Sequence, residues 1–425
     1  MFRKLAKCVR EFRLPTILTL IFIVCEVVIE IFIPFVTADL ITKIQQRVDM
    51  GEIISLGLLL IAMAVLSLCC GGIAGFTCAK ASAGFARNLR EDVFGKIQTF
   101  SFENIDKFSS TSLVTRLTTD VGNVQMSFMM LIRIAVRAPL MLVFSIVMAI
   151  IMGGQLAITF VVIVPVLGFG LFLVSRRAMP AFRAVFKKYD RLNESIEENV
   201  RGMRVVKGFS REDHEKQKFS AAANDICADF TRAERIVAFN SPLMQICVYF
   251  NMVLVLLLGS RLAIVNADVE GIAVISTMLT YGFQVLMQLM MISMIYVILT
   301  MSAESAKRIV EVLDEIPALP LPLHPVTEVK DGSISFENVS FKYSADAEKN
   351  SLSAVNLQIE SGMTVGILGG TGSSKSTLVQ LIARLYDATE GVVRVGGVDV
   401  REYDPAVLRG ELTLSIICPT IRISW

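Results

Sequence analysis

A chain of 425 residues that is 54% hydrophobic and only 19% charged, with a mean hydropathy of +0.62, is not a water-soluble globule over most of its length and belongs in a bilayer. Its net charge of +2, with basic residues clustered beside apolar segments rather than on one extended face, is too small to argue for a nucleic-acid partner, and none is expected. The eight cysteines, at positions 8, 25, 69, 70, 78, 227, 247 and 418, show no C-x-x-C or Cys/His spacing and read as reduced packing residues.

Residues 1–13 place Phe2, Leu5, Val9 and Phe12 on one helical face and Arg3, Lys4, Lys7, Arg10 and Arg13 on the others, the pattern of an amphipathic interfacial helix on an anionic leaflet. The apolar run that follows, 14–36, is too long for a signal peptide, and no small-residue cleavage site follows it. Six runs can cross about 30 Å of hydrocarbon at about 1.5 Å per residue: 14–38, 53–79, 131–152, 155–175, 241–265 and 271–300. The third and fourth meet in a hairpin at Gly153-Gly154. Arg and Lys crowd segments 80–130 and 176–240 and the amino-terminal arm, whereas the other connections carry little beyond Lys43, Arg47 and Arg261. Both termini are therefore expected on the cytoplasmic side of a multi-pass cell-membrane protein.

The two long basic segments do not read as loops. Over 80–103 and 176–198 charged and apolar residues alternate at helical spacing, with only Pro180 interrupting, so the second and fourth spans should continue as helices about 30 Å into the cytoplasm. Each then turns at a short motif, Ser101-Phe102-Glu103-Asn104-Ile105-Asp106-Lys107-Phe108 in the first and Val200-Arg201-Gly202-Met203-Arg204-Val205-Val206-Lys207-Gly208-Phe209 in the second. By composition alone, solvated helical hairpins account for both.

Within the spans, Glu26 and Glu30 lie one helical turn apart. Intramembrane carboxylates face a cavity or a partner, so the pair either attracts a cation, pairs with a neighbouring span or packs near the outer leaflet. The last span carries Met278, Met287, Met290, Met291 and Met294 with Gln284 and Gln288, which fits core packing or a pliable, promiscuous pocket. His214 and His324 are isolated and read as solvated or capping residues.

After the last span the helical pattern runs on to about Glu315, and Pro317, Pro320, Pro322 and Pro325 then mark a linker. Alternation returns in Ser333-Ile334-Ser335-Phe336-Glu337-Asn338-Val339-Ser340-Phe341-Lys342-Tyr343, as in strands of a soluble domain. An apolar run ending at Leu368 then reads as a buried strand. It leads into Gly369-Gly370-Thr371-Gly372-Ser373-Ser374-Lys375-Ser376-Thr377, and a helical pattern follows through Leu378, Leu381, Ile382 and Leu385. Strand, glycine-rich turn and helix come in the order of a phosphate-binding loop. Backbone N–H groups would converge on phosphate oxygens, Lys375 would neutralise the outer phosphates, and the Ser376 hydroxyl would ligate Mg²⁺. The pattern G-x-x-x-x-G-K-[ST] starts at Gly369, but its second glycine falls on Ser374.

Taken together, these features resemble an ABC exporter half-transporter, most similar to the bacterial multidrug group. Besides the loop, the resemblance rests on Phe108-Ser109-Ser110-Thr111-Ser112-Leu113-Val114-Thr115-Arg116-Leu117-Thr118-Thr119-Asp120-Val121, on Arg204-Val205-Val206-Lys207-Gly208-Phe209-Ser210-Arg211-Glu212 and on Val339-Ser340-Phe341-Lys342-Tyr343. It implies a membrane α-helical, six-span transmembrane domain followed by an incomplete α/β P-loop nucleotide-binding domain. The expected divisions are an interfacial helix at 1–13, the six-span domain with its helical extensions at 14–313, a linker at 314–330 and a truncated nucleotide-binding domain at 331–425. The resemblance also implies ATP and Mg²⁺ as cofactors and Tyr343 as an aromatic platform for adenine. Gly369, Gly370, Thr371, Gly372, Ser373, Ser374, Lys375, Ser376 and Thr377 form the loop, Ser376 is the metal residue, and the turns near 103–106 and 201–206 become coupling helices. The implied partners are a second half-transporter chain, the lipid bilayer and a small, amphipathic substrate that is exported.

Two departures qualify the resemblance. If Ser374 takes a left-handed conformation, its side chain costs about 1–2 kcal/mol, or roughly five- to thirtyfold in nucleotide affinity. In addition, the glutamine loop, signature motif, acidic strand end and switch histidine of the family have no counterparts after Leu412, where the chain reads as frameshifted or truncated. No catalytic residue is therefore assigned, and the chain alone is expected to be deficient in hydrolysis. The alternative to an ATP-driven export subunit is a non-catalytic membrane protein, either nonfunctional or a binding partner of an intact half-transporter.

Overall fold

A computed structural model describes residues 2–266, 271–320, 322–344, 348–414 and 421–423. Cys418 and Trp425 lie outside the described residues. The chain divides into two compact units. One comprises Met1–Leu89 and Val121–Lys307, the other Arg90–Asp120 and Arg308–Trp425.

Helices dominate the first unit: α1 (Phe2–Lys7), α2 (Arg13–Gln45) and most of α3 (Met50–Gln98), then, after two short helices α4 (Phe102–Phe108) and α5 (Ser110–Thr115) of the other unit, α6 (Val121–Gly153), α7 (Ile158–Arg201), α8 (Met203–Gly208), α9 (Glu212–Ala238), α10 (Asn240–Asn266) and α11 (Gly271–Asp314). Among the described residues, five helical stretches are long and apolar enough to cross a membrane: Arg10–Gln45, Met50–Gln98, Ser110–Phe182, Glu212–Arg261 and Gly271–Asp314. The third contains both α6 and α7, divided by a 3-10 turn at Gly154–Ala157 where Gly154 has φ +48°. All six expected runs thus fall on helical segments, and the extensions of the second and fourth spans are continuous with α3 and α7.

Apolar side chains cover the outside of this unit, Phe76 at 82% exposure among them, as a lipid-facing surface requires. Its interior is a cluster that includes Ile23, Val27, Met141, Phe160, Val255 and Tyr281. The Tyr281 hydroxyl, buried among them, donates to the backbone oxygen of Ile31 at 2.8 Å. Close helix contact depends on glycine where side chains interlock: a Cβ on Gly153 would collide with Met278, and one on Gly259 would lie 2.5 Å from Ile275. Of the seven described cysteines, all free thiols, Cys8, Cys70, Cys78 and Cys247 are buried and Cys25, Cys69 and Cys227 exposed.

Two expectations for this unit resolve. Glu26 and Glu30 pair with the neighbouring span: Arg137 of α6 reaches Glu26 Oε1 at 2.7 Å and Glu30 Oε2 at 2.7 Å. One guanidinium serves two carboxylates, the geometry its planar fork favours. Met278 is wholly buried, whereas Met290, Met291 and Met294 are exposed, so the methionines divide between core and surface.

The amino-terminal arm differs from its expected form. Helix α1 stops at Lys7, a 3-10 turn covers Arg10–Phe12, and Leu5, Cys8 and Val9 are buried in protein. The cause is a set of contacts from α3: Asn88 donates to the Cys8 carbonyl at 3.0 Å, Arg87 pairs with Glu11, and the Arg87 guanidinium lies 5.4 Å from the Phe12 ring. Part of the apolar face assigned to lipid therefore packs on the extension of α3.

The second unit holds a four-stranded antiparallel sheet in the order β2-β1-β3-β4, formed by β1 (Ile334–Phe341), β2 (Leu352–Ile359), β3 (Glu390–Val395) and β4 (Val398–Asp399). Its core includes Phe336, Val339, Leu381, Val393, Tyr403 and Leu408, contributed also by helices α12 (Lys375–Ile382) and α13 (Pro405–Gly410). The Tyr403 hydroxyl satisfies its burial on the Val395 carbonyl at 2.9 Å. A separate pair, β5 (Leu412–Leu414) and β6 (Ile421–Ile423), is antiparallel.

The unit boundary also falls elsewhere than the expected domain boundary, because the end of the first extension packs with the carboxy-terminal end of α11 and the residues just after it. Helix α4 opens on a capping box between Ser101 and Asn104. Asn104 also donates to Glu315 at 3.1 Å and to the Ile316 carbonyl at 3.0 Å, and accepts from Ala318 N–H at 2.9 Å. Nearby, buried Asp120 pairs with Arg308, and Arg116 donates to the Arg308 carbonyl at 2.5 Å and pairs with Glu311 at 3.3 Å.

Candidate nucleotide site

The loop predicted to bind phosphate ends at the amino terminus of α12. Ser374 is its N-cap residue, with φ 59° and ψ 25°, in the left-handed region. Gly372 has φ +85°. The position where the pattern asks for glycine therefore does take the conformation that glycine favours, and a serine side chain bears the cost there. Leu378 N–H bonds to Ser374 O at 3.1 Å, the first rung of the helix, so the N–H groups of Lys375, Ser376 and Thr377 point from its open end.

Lys375 extends back over the loop. Its ammonium donates to the carbonyls of Gly369 at 2.8 Å and Gly370 at 2.7 Å and to Ser373 Oγ at 3.1 Å. The loop is closed enough that a Cβ on Gly369 would lie 2.6 Å from Ser373 Oγ. Loop residues 369–372 are exposed, as is Ser376, while Thr377 is buried. A cationic head, free helix-end donors and an exposed hydroxyl in one small arc suit a phosphate chain with a divalent ion.

Residues 363–370 form no strand, contrary to expectation, and Leu368 is 97% exposed. A parallel strand is defined by ladder partners on its flanks, and the described sheet is built entirely from other residues. The helix after the loop is also shorter than its apolar periodicity: α12 ends at Ile382, leaving Leu385 beyond it.

Tyr343 is brought to the same place. Its hydroxyl lies 2.9 Å from Thr377 Oγ1 and donates to Gln380 Oε1 at 3.1 Å. The ring stands nearly perpendicular to Phe341, at 4.8 Å, and to Tyr386, at 5.2 Å. Sequence reasoning passed over Gln380 and Tyr386. Gln380 had a findable signal, one helical turn after Ser376 on the loop's own helix, whereas Tyr386 gains its neighbours only through packing. Tyr386 donates to Asp106 Oδ2 of α4 at 2.7 Å, and burial, reinforced by that carboxylate, holds its phenol well above the ordinary tyrosine range.

Comparison with known proteins now gives this geometry a family. The profile described as the ABC transporter transmembrane region matches residues 16–287, and that described as ABC transporter matches 352–415. The chain belongs to the ABC transporter family. It is 30% identical over 395 residues to the uncharacterized ABC transporter ATP-binding protein YfiB of Bacillus subtilis, covering 93% of this chain and 68% of that protein. The uncharacterized ABC transporter ATP-binding protein Rv1273c of Mycobacterium tuberculosis is 32% identical over 375 residues, covering 88% of this chain and 64% of its own length. A third relative, YknU of B. subtilis, is 27% identical over 325 residues, or 76% of this chain and 55% of that protein. The chain thus spans about two-thirds or less of the relatives it matches. It is a multi-pass membrane protein carrying a nucleotide-binding segment of the ABC type.

Proposed function

We propose that this chain is the membrane-spanning, ATP-binding part of an ABC exporter that moves small, amphipathic molecules outward, with both termini in the cytoplasm. The observation that carries the reading is the junction at α12, where left-handed Ser374, the ammonium of Lys375 and the exposed Ser376 hydroxyl meet at a helix amino terminus. On this reading Lys375 exchanges its loop carbonyls for the outer phosphates of ATP, whose charge makes them the stronger acceptors. Gly369, Gly370, Thr371, Gly372, Ser373 and Ser374 shape the cradle, Ser376 holds Mg²⁺, and Thr377 supplies a further helix-end N–H. Tyr343 offers its π-face to adenine.

The second partner would be another half-transporter chain. Helix α8 and its flanks present exposed apolar side chains, Val205 at 62% and Phe209 at 76%, beside Arg204 and Lys207. Such a patch suits a protein interface. For the polypeptide alone, weak binding without appreciable turnover is expected. A non-catalytic subunit that assembles with an intact half-transporter is the second reading, favoured by the left-handed serine at 374 in the phosphate loop.

The test is ATP turnover by the purified chain in lipid nanodiscs against its Lys375→Ala variant. Equal, near-background rates are expected, and a rate clearly above the variant would overturn the non-hydrolytic assignment.

A further inference from the structure

Tyr386 occupies a place that no motif assigns. It follows α12, is only 7% exposed, and its ring touches three others: Tyr343 at 5.2 Å, Phe341 at 5.5 Å and Phe102 of α4 at 6.1 Å. Its hydroxyl donates to Asp106 of the same short helix at 2.7 Å. One buried side chain therefore contacts both the aromatic platform and α4.

The platform itself has few other restraints. Tyr343 is half exposed, its hydroxyl is held by Thr377 and Gln380 of α12, and its ring edge rests on Phe341 and Tyr386. Phe341 is a fixed member of the sheet core, so of the two supporting rings only Tyr386 also reaches outside the sheet. A change in Tyr343 has a direct route to α4 through Tyr386. On the α4 side the contact has two components, a charge-assisted hydrogen bond at Asp106 and an edge contact at Phe102, which report position in different ways.

We propose that Tyr386 is a positioning residue that links base stacking on Tyr343 to helix α4, so that recognition of a nucleoside base, as distinct from its phosphates, is felt at Asp106. The proposal rests on the reading of Tyr343 as the adenine platform. It deepens that reading by identifying which part of the nucleotide α4 responds to. Phosphate contacts lie on Lys375 and the loop and reach Tyr386 only through Tyr343, whose hydroxyl lies 2.9 Å from Thr377 Oγ1, whereas a base stacked on Tyr343 bears on the ring that touches Tyr386. Linkage is reciprocal: if base occupancy shifts α4, removing the α4 contact must change affinity for the base.

Four full-length variants test this, with ATP and inorganic tripolyphosphate as probes: Tyr386→Phe, Asp106→Ala, the double variant, and Tyr343→Leu. Tyr386→Phe keeps the ring and loses only the hydroxyl, and Asp106→Ala alters an exposed residue, so one or both will fold. Either single change should weaken ATP about three- to tenfold while leaving tripolyphosphate within about twofold, the scale of one hydrogen bond. The double variant should match Tyr386→Phe alone, because both changes break one contact. Hydrogen exchange across Phe102–Phe108 should slow on ATP addition in the wild type and not in Tyr386→Phe.

Wild-type ATP affinity with full ATP-dependent protection in Tyr386→Phe would overturn the proposal. So would equal losses for ATP and tripolyphosphate, the mark of a merely structural side chain. If the wild type binds both probes equally and Tyr343→Leu changes neither, the platform reading of Tyr343 fails and the proposal falls with it. If Tyr343→Leu weakens ATP selectively while Tyr386→Phe does not, the platform stands and only the link fails.

Discussion

Helices α4 and α8 begin from similar positions, each a short turn placed after a long helical extension, yet their surroundings are opposite. Asn104 of α4 is 3% exposed and bonds to Ser101, Glu315, Ile316 and Ala318, so α4 is part of the compact unit that holds the nucleotide loop. Around α8 none of the described residues is buried within the helix, and Val205 and Phe209 face outward. An apolar tip left uncovered beside one that is satisfied internally suits the protein interface proposed for a second half-transporter chain. The difference lies in polar side chains: Asn104 can donate twice and accept at its carbonyl, whereas Val205 and Val206 offer only apolar surface.

Asn104→Ala should have the largest effect on this contrast. It removes a buried side chain that bonds to Ser101, Glu315, Ile316 and Ala318 and should destabilise the second unit by about 1–3 kcal/mol. Thermal unfolding followed by hydrogen exchange across Phe102–Phe108 would show it, and an unchanged profile would remove the claim that α4 is anchored. Phe209→Ser should act the other way. Stability of the isolated chain should move by no more than about 0.5 kcal/mol, while self-association or capture of a co-expressed half-transporter, read by light scattering or pull-down, should fall at least about tenfold. Intact association would show that the patch faces lipid or solvent instead.

The smallest effect should come from Lys207, whose ammonium lies 2.9 Å from Glu212 just after α8. That hydrogen bond holds the Glu212 carboxyl below its usual value of 4.5. A carboxyl depressed in the folded state adds stability above its unfolded value and loses it as the pH falls through the folded one, so the contribution should fade below about pH 4.5. The pair is exposed and should be screened by salt. A Lys207→Met variant should lose this small acid- and salt-dependent contribution and little else, and one that unfolds several degrees earlier at neutral pH would contradict the comparison.

What the sequence disclosed follows from the same physics. The six apolar runs were legible because lipid demands about 20 consecutive apolar residues whatever the neighbours. The extensions of α3 and α7 were legible because helical spacing is local. Arg137 was not singled out, although it lies in the third apolar run, and its pairing with Glu26 and Glu30 depends on which spans pack together. The apolar run ending at Leu368 forms no strand because a buried strand exists only with lateral partners. At the site, the loop and the anomaly at Ser374 could be read from one short pattern. The bond from Tyr386 to Asp106 joins positions 280 residues apart and leaves no local trace.

The central claim is that this chain binds nucleotide at the α12 loop and that Ser374 weakens it. The most direct test is ATP affinity of the full chain in nanodiscs for three forms: wild type, Lys375→Ala and Ser374→Gly. The account predicts weak binding in the wild type, none measurable in Lys375→Ala, and tighter binding in Ser374→Gly as the side chain clears the phosphate cradle, while the left-handed strain of about 1–2 kcal/mol, borne already without nucleotide, should appear as added stability of the second unit. Equal affinity in all three would place any nucleotide somewhere other than this loop and contradict the account.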